Sequence, residues 1–250
     1  MAAKKKKVTV VMPAYNAEKT LLKTYNDIPK GSADEIILTD DVSRDKTVEI
    51  AKKLGLIVVQ HSKNKGYGGN QKTCYTEALK RGADIIVMLH PDYQFDPKSI
   101  PDLVAPLIEE RADIVYGSRM MEKGSAKRGG MPFYKRLGNK MLTMYFNVML
   151  GTRLTDAATG LIAYSRKSLE TIPFMKNADG FTFDEEAIIQ AKYFGMRMVE
   201  VPIPTRYEKD SSTISLRKSI NYGLKLFWRV IRYKLHKWGI VKFYLLERTT

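Results

Sequence analysis

The chain has 250 residues, 44% of them hydrophobic, and a single cysteine, Cys74, which suits one large domain or a domain with an appendage and excludes an internal disulfide framework. The formal net charge is +15, and it is unevenly placed: residues 119–140 hold seven Lys/Arg against one Glu, and residues 206–250 hold eleven against three. The first 118 residues are therefore near neutral, and the later basic surface suits nucleic acid, anionic lipid or phosphorylated substrates.

Residues 8–12 (VTVVM) read as a first strand, 18–28 as a helix and 35–39 as a second strand. A helix over 46–54 and a short strand over 56–60 follow, then a helix over 70–81 and a central strand over 83–89. A helix over 99–111 and a strand over 112–116 complete the alternation. Strands separated by helices of about 10–15 residues imply right-handed βαβ units and a parallel sheet with helices on both faces. Beyond this point, residues 118–131 are polar and glycine-rich and read as a mobile loop. A helix over 137–150 is apolar on most faces, so it is either deeply buried or against lipid. Residues 160–165 read as a strand, 184–194 as a helix, 196–201 as a strand and 215–238 as a long helix. On that last helix Ile220, Leu224, Phe227, Ile231, Leu235 and Trp238 share one face, and Lys218, Lys225, Arg229, Arg232 and His236 the other. The pattern fits an interfacial membrane helix or a helix packed on the core with a solvated basic face. No apolar run reaches the roughly 18 residues of a membrane span, and residues 8–12 behind the basic 4–7 are too short for a signal peptide. The expected setting is cytoplasmic.

Candidate chemistry gathers at strand ends. In Leu89-His-Pro-Asp-Tyr-Gln94, alternation along an extended chain would put His90, Asp92 and Gln94 on one side, as a divalent-cation set or as a plain polar turn. Asp40 and Asp41 end the second strand, where an acid can accept from a base N–H or a ribose hydroxyl. Asn64-Lys-Gly-Tyr-Gly-Gly-Asn70 precedes a helix, so that Lys65 and Gly66 open a loop whose backbone amides could approach a phosphate, or a flexible turn.

Taken in order, VVMPAYNAEKTL, EIILTDDVSRDKT, NKGYGGN, VMLHPDYQFDP, DIVYGSR, TDAATGLIAYSRK and GFTFDEEAI resemble the family 2 glycosyltransferases of GT-A fold, and within them the polyprenyl-phosphate sugar transferases such as dolichol-phosphate mannosyltransferase. The resemblance covers roughly residues 8–207, which implies a GT-A domain over 1–207 and a basic amphipathic helical extension over 208–250. It implies an NDP-sugar donor bound by Pro13, Ala14, Tyr15, Glu18 and Asp41, and a Mg²⁺ or Mn²⁺ ion on His90, Asp92 and Gln94. His90 stands where the family's motif has Asp; imidazole suits Mn²⁺ better than Mg²⁺. Arg119 and Arg136 would hold an acceptor phosphate, Asp156 would lie near the metal and the reacting sugar, and Asp184 or Glu186 would be the base if the acceptor were a hydroxyl. Ser211-Ser-Thr-Ile-Ser215 with Arg206 and Arg217 loosely matches a late diphosphate-binding segment. The implied reaction is an inverting hexosyl transfer to a polyprenyl phosphate at the membrane surface, with peripheral docking or a membrane-anchored partner protein. Rival readings are transfer to a glycan or protein hydroxyl, or a non-catalytic nucleotide-sugar binder with a degraded metal site. Nucleic acid is not an expected partner, since no recognised motif accompanies the basic helix.

Overall fold

A computed structural model describes residues 5–207 and 216–247, side chains of 216–220 excepted. The 207/208 boundary and the 211–215 segment singled out above therefore fall at or outside the described residues, as do the side chains of Arg217, Lys218 and Ile220.

Alternating apolar side chains build one sheet with a core on each face. Its strands are β1 (Val8–Ala14), β2 (Glu35–Asp40), β3 (Ile57–Gln60), β4 (Ile85–Met88), β5 (Ile114–Ser118), β6 (Ile162–Ser165) and β7 (Met198–Pro202), in the order β3-β2-β1-β4-β6-β5-β7. The helices are α1 (Leu21–Asn26), α2 (Thr47–Lys53), α3 (Gly66–Lys80), α4 (Ile100–Ile108), α5 (Ser125–Arg128), α6 (Phe133–Leu150), α7 (Arg166–Thr171), α8 (Phe183–Tyr193) and α9 (Leu216–Lys237). Val11, Ile37, Ile86, Met88, Ile114 and Tyr164 point to one face, where Tyr75, Phe146, Phe183 and Leu226 from α3, α6, α8 and α9 fill the core. Val10, Met12, Leu38, Ile85, Val87 and Ala163 point to the other, against Leu21, Ala51, Leu103 and Leu107 from α1, α2 and α4. The period of two sends neighbours to opposite faces, and each large apolar side chain buried contributes about 1.5–3 kcal/mol.

The sheet is parallel except at β6, which runs antiparallel to both β4 and β5. Ile162, the first residue of β6, pairs with Met88 and Tyr116 near the carboxyl ends of β4 and β5. The chain thus leaves and re-enters the sheet at the same edge, which forces the reversal.

Three expectations need correction. First, α3 begins at Gly66, so the glycines lie in its first turn and not in a loop before it. The N–H groups of Gly68 and Gly69 donate to the Asp179 carbonyl at 2.8 and 3.3 Å, and Gly66 N–H donates to Asp41 Oδ2 at 3.0 Å. These amides are engaged within the fold. A Cβ on Gly68 would lie 2.2 Å from the Ala178 carbonyl oxygen and 2.9 Å from Phe183 Cβ, so glycine is there for close backbone approach. Second, segment 118–131 is docked: Ala126 and Met131 are buried, and Gly129 O accepts from Tyr207 N–H at 2.9 Å. Third, α9 seats neither of its two expected faces in the core. Leu226, Val230 and Tyr233, which lie between them, are the buried residues, while Leu224, Phe227 and Trp238 are exposed.

Gly68→Ala should destabilise the protein by about 3 kcal/mol, because the overpacked atom meets backbone on one side and an aromatic side chain on the other. Urea denaturation checks this; a midpoint equal to wild type would show that the 178–179 backbone yields freely.

Candidate functional site

The loops after β1, β2 and β4 meet at the carboxyl edge of the sheet, where strand order changes direction on either side of β1. In open α/β sheets ligands bind in such a crevice. Here it is a cavity of about 540 Å³, lined by Pro13, Ala14 and Tyr15 after β1, Asp41 after β2, and His90, Asp92 and Gln94 after β4. Its far wall is built by Ala158, Thr159 and Gly160 before β6, and by Phe181, Asp184, Glu185 and Tyr222. Three of the four described non-glycine residues with left-handed backbone lie on its rim loops: Asn16 (φ 53°), Val42 (φ 67°) and Tyr93 (φ 60°). A β-branched residue such as Val42 is strained there, and strain of this kind gathers at ligand sites.

His90, Asp92 and Gln94 all reach the cavity, but through a turn and not through extended alternation. The left-handed Tyr93 reverses the chain and is buried, its hydroxyl donating to Asp27. Asp92 Oδ1 accepts from Gln94 N–H at 3.0 Å, which fixes the turn. The His90 ring stacks on Tyr67 at 5.3 Å between centroids and 14° between planes. Tyr67 donates its hydroxyl proton to Asp184 Oδ2 at 2.6 Å and lies 3.2 Å from His90 Nε2. A hydroxyl already donating to Asp184 can accept from the ring, so the contact suits an N–H at His90 Nε2. Gly160 makes room for the ring: a Cβ there would sit 3.2 Å from His90 Nε2.

Asp41 is largely committed within the protein. Its Oδ1 accepts from Lys65 N–H and pairs with His61 Nδ1, both at 2.8 Å, while Oδ2 accepts from Gly66 N–H. Glu18 does not line the cavity; its Oε2 accepts from Lys46 N–H at 2.9 Å, at the start of α2. Lys65 is also off the cavity wall, contributing through its backbone.

Arg119 and Asp156 form a buried ion pair, 6% and 0% exposed at their side chains. Arg119 Nε and Nη2 bond the carboxylate at 2.7 and 2.8 Å, Nη2 also donates to Ala158 O, and Nη1 donates to Tyr207 Oη. Burial alone would raise the Asp156 carboxyl; the guanidinium more than reverses this and holds it below the usual carboxylate range. Arg119 therefore enters the cavity wall as half of a neutral pair rather than as a free cation. Arg136, on α6, lies off the cavity with its guanidinium over the Phe133 ring.

Glu186 is fully buried and turned away, accepting from Ala178 N–H and Thr182 Oγ1 and pairing with Arg229 at 2.9 Å; this corrects its placement as a candidate base. Of the α8 acids, Asp184 and its neighbour Glu185 face the cavity, and the motif reading passed over Glu185 as a site residue. Burial pushes the Asp184 carboxyl up against the pull of the Tyr67 hydroxyl. Burial, with Asp184 beside it, pushes Glu185 well above its ordinary range, although Tyr222 donates to it. Tyr67 and Tyr222 were also missed; Tyr67 was legible as the one side chain interrupting the GYGG run, whereas nothing local marked Tyr222.

A family model, Glycosyl transferase family 2, matches residues 9–172. The UDP-N-acetylglucosamine–dolichyl-phosphate N-acetylglucosaminyltransferase of Methanococcus voltae is 31% identical over 249 residues, covering 93% of this chain and 98% of that protein. The undecaprenyl-phosphate mannosyltransferase of Micrococcus luteus is 26% identical over 92% of this chain and 99% of its own length. Among solved structures, the glucosyl-3-phosphoglycerate synthase of Mycobacterium tuberculosis, in complex with Mn²⁺, UDP and glucosyl-3-phosphoglycerate, has a TM-score of 0.67 at 22% identity. It covers 95% of this chain and 81% of that one, so the two share the GT-A fold. With the match spanning well over half its length and a crevice at the family's motifs, the chain belongs to glycosyl transferase family 2.

Proposed function

We propose that this glycosyltransferase moves a hexosyl group, with inversion, from an NDP-sugar to a polyprenyl phosphate at the cytoplasmic face of a membrane. The observation that carries the reading is the single crevice joining His90, Asp92 and Gln94 to Asp184 and Glu185. Relatives matched over nearly their whole length are named for dolichyl and undecaprenyl phosphate acceptors.

The donor set fits a divalent ion shared with substrate. Among the described residues no three His, Cys, Asp or Glu side chains form a ready cation cage. His90, Asp92 and Gln94 would hold the ion through an imidazole nitrogen, a carboxylate oxygen and an amide oxygen. When bound, a Mg²⁺ or Mn²⁺ ion neutralises charge on the leaving diphosphate. Tyr67 acts on this set by fixing the ring of His90. Pro13, Ala14 and Tyr15 line the base and ribose end, where Asp41 Oδ2 keeps a lone pair for a hydroxyl. Asp156 holds Arg119 and the Ala157–Gly160 rim in place. A phosphate acceptor is already a nucleophile at neutral pH and needs placing rather than a general base. A hydroxyl acceptor would need one, and Asp184, raised by burial, would be the candidate.

Exposed Phe133, Leu137, Met141, Met144 and Val148 form a stripe along α6, which packs beside α9 with Tyr145 stacked on Phe227. No described helix is long and apolar enough to cross a membrane. The two helices offer apolar side chains flanked by basic ones, which suits docking on an anionic surface.

A panel of NDP-sugars incubated with polyprenyl phosphate and Mn²⁺ or Mg²⁺ should give one glycosyl-lipid, read by product mass; no product from any pair would sink the acceptor assignment. In the same assay Asp92→Ala should lose transfer while keeping its denaturation midpoint, whereas Asp156→Asn should lower stability by about 3–5 kcal/mol by leaving Arg119 buried and uncompensated. Wild-type protein should float with anionic vesicles, and Met144→Asp/Val148→Asp should stay behind; equal flotation would place the docking surface elsewhere. Glu185 binds its proton more tightly when folded, so its contribution to stability is full below the ordinary value of 4.5 and is lost as pH rises through its raised value. The Tm advantage of Glu185→Gln over wild type should therefore grow as pH rises from 4.5 toward that raised value and level off beyond it, and a constant difference would show that Glu185 ionises normally.

A further inference from the structure

We propose that Arg206 is a positioning residue for the ion-binding turn: from behind the crevice it holds residues 93–96 so that Gln94, between its two side-chain attachments, keeps its place in the donor set. The inference rests on the metal set of the reading above and goes beyond it by adding a residue that touches neither ion nor sugar. The segment carrying Arg206 was matched loosely to a diphosphate-binding one, but Arg206 does not line the crevice. Its guanidinium is turned instead to Tyr93 and Asp96, on the back of the turn.

The turn needs such a hold. Tyr93 sits at φ 60°, a left-handed conformation that a residue with a Cβ enters only at a cost, and Asp92 and Gln94 flank it directly. Relaxation of that one angle would swing Gln94 relative to Asp92. Arg206 meets the turn at three points. Its guanidinium lies over the Tyr93 ring, 4.6 Å from the centroid, and Nη2 bonds Asp96 Oδ2 at 2.6 Å. Its backbone N–H donates to the Gln94 carbonyl at 2.8 Å. Thr205 adds its hydroxyl to the same carbonyl at 3.2 Å and bridges to Phe95. Asp27 and Lys23 also grip the Tyr93 ring, but Arg206 joins that ring to Asp96, across Gln94. A planar guanidinium can cover an aromatic face and bond a carboxylate at once. The same short segment reaches the opposite side of the crevice. Ile203 N–H donates to Ser118 O at the end of β5, and Tyr207 Oη accepts from Arg119 Nη1 at 3.0 Å. Arg206 thus stands midway along a strap tying the ion turn to the Arg119–Asp156 pair. Partners of this kind, one step behind the ligands, commonly set how well a metal is held.

The test uses the full chain and reads the ion directly, by electron paramagnetic resonance of Mn²⁺ in the presence of UDP or of GDP. Arg206→Ala should weaken Mn²⁺ binding about tenfold or more, while calorimetry without metal should find nucleotide bound as in wild type. Arg206→Met keeps the length of the side chain against the ring and loses the bond to Asp96. It should weaken Mn²⁺ in the same direction, and it carries the test if the alanine variant fails to fold, which circular dichroism and urea denaturation decide. Mn²⁺ held as in wild type by the folded variants would overturn the role, and a lowered urea midpoint alone would then mark Arg206 as structural. A loss of metal-free nucleotide binding as large as the loss of Mn²⁺ would overturn it too. If Asp92→Ala loses Mn²⁺ and both Arg206 variants keep it, Arg206 falls and the metal set stands. If wild type binds nucleotide but no Mn²⁺, the metal set falls and the role of Arg206 with it.

Discussion

The seating of α3 on the 178–179 backbone is the contact from which the site follows. Without a Cβ at position 68, the first turn of the helix comes close enough for two of its amides to share the Asp179 carbonyl. Asp41 takes the amides just before, and Asn70 donates to Thr39 O, tying the same turn to the end of β2. This places Tyr67 between His90, from the central strand, and Asp184, from α8. Sheet and far wall are thus joined across the crevice by one phenol. The amides of this glycine-rich helix start, which resembles an anion cradle, are spent on protein–protein hydrogen bonds.

Positive charge is divided in a related way. Asp156, held by Arg119, is itself held by Glu200, which accepts from the Thr155 and Asp156 amides. That chain of partners stiffens the loop before β6, whose Gly160 abuts His90. The cost is that the arginine on the crevice wall is fully engaged.

The sheet was legible in the sequence because strands alternating with helices leave a pattern of apolar runs, and the strand spans differ from expectation by about two residues at the ends. The motif residues His90, Asp92 and Gln94 were legible by type, though the turn through a left-handed Tyr93 that gathers them was not. The reversal of β6 was hidden, since a four-residue apolar run carries no direction. Glu186 and Arg136 were misplaced because a helix presents each residue on one face only, and the local charge pattern did not fix the helix rotation. On α9 the seat in the core, Leu226, Val230 and Tyr233, lay between two more conspicuous stripes. Tyr222 and Glu185 meet across the chain, and no local signal announces such a meeting.

The raised carboxyls of Asp184 and Glu185 also bear on how an anion enters at all. Four acids border the crevice, and if all were ionised they would oppose an anion such as a diphosphate, itself multiply negative. Desolvation leaves this pair holding protons to higher pH than free side chains would. Proton occupancy thereby thins the negative field on the far wall, where Asp184 Oδ1 and Glu185 Oε2 keep hydrogen-bonding capacity. A single set of buried acids thus lowers the electrostatic barrier that an anionic guest would meet at this wall.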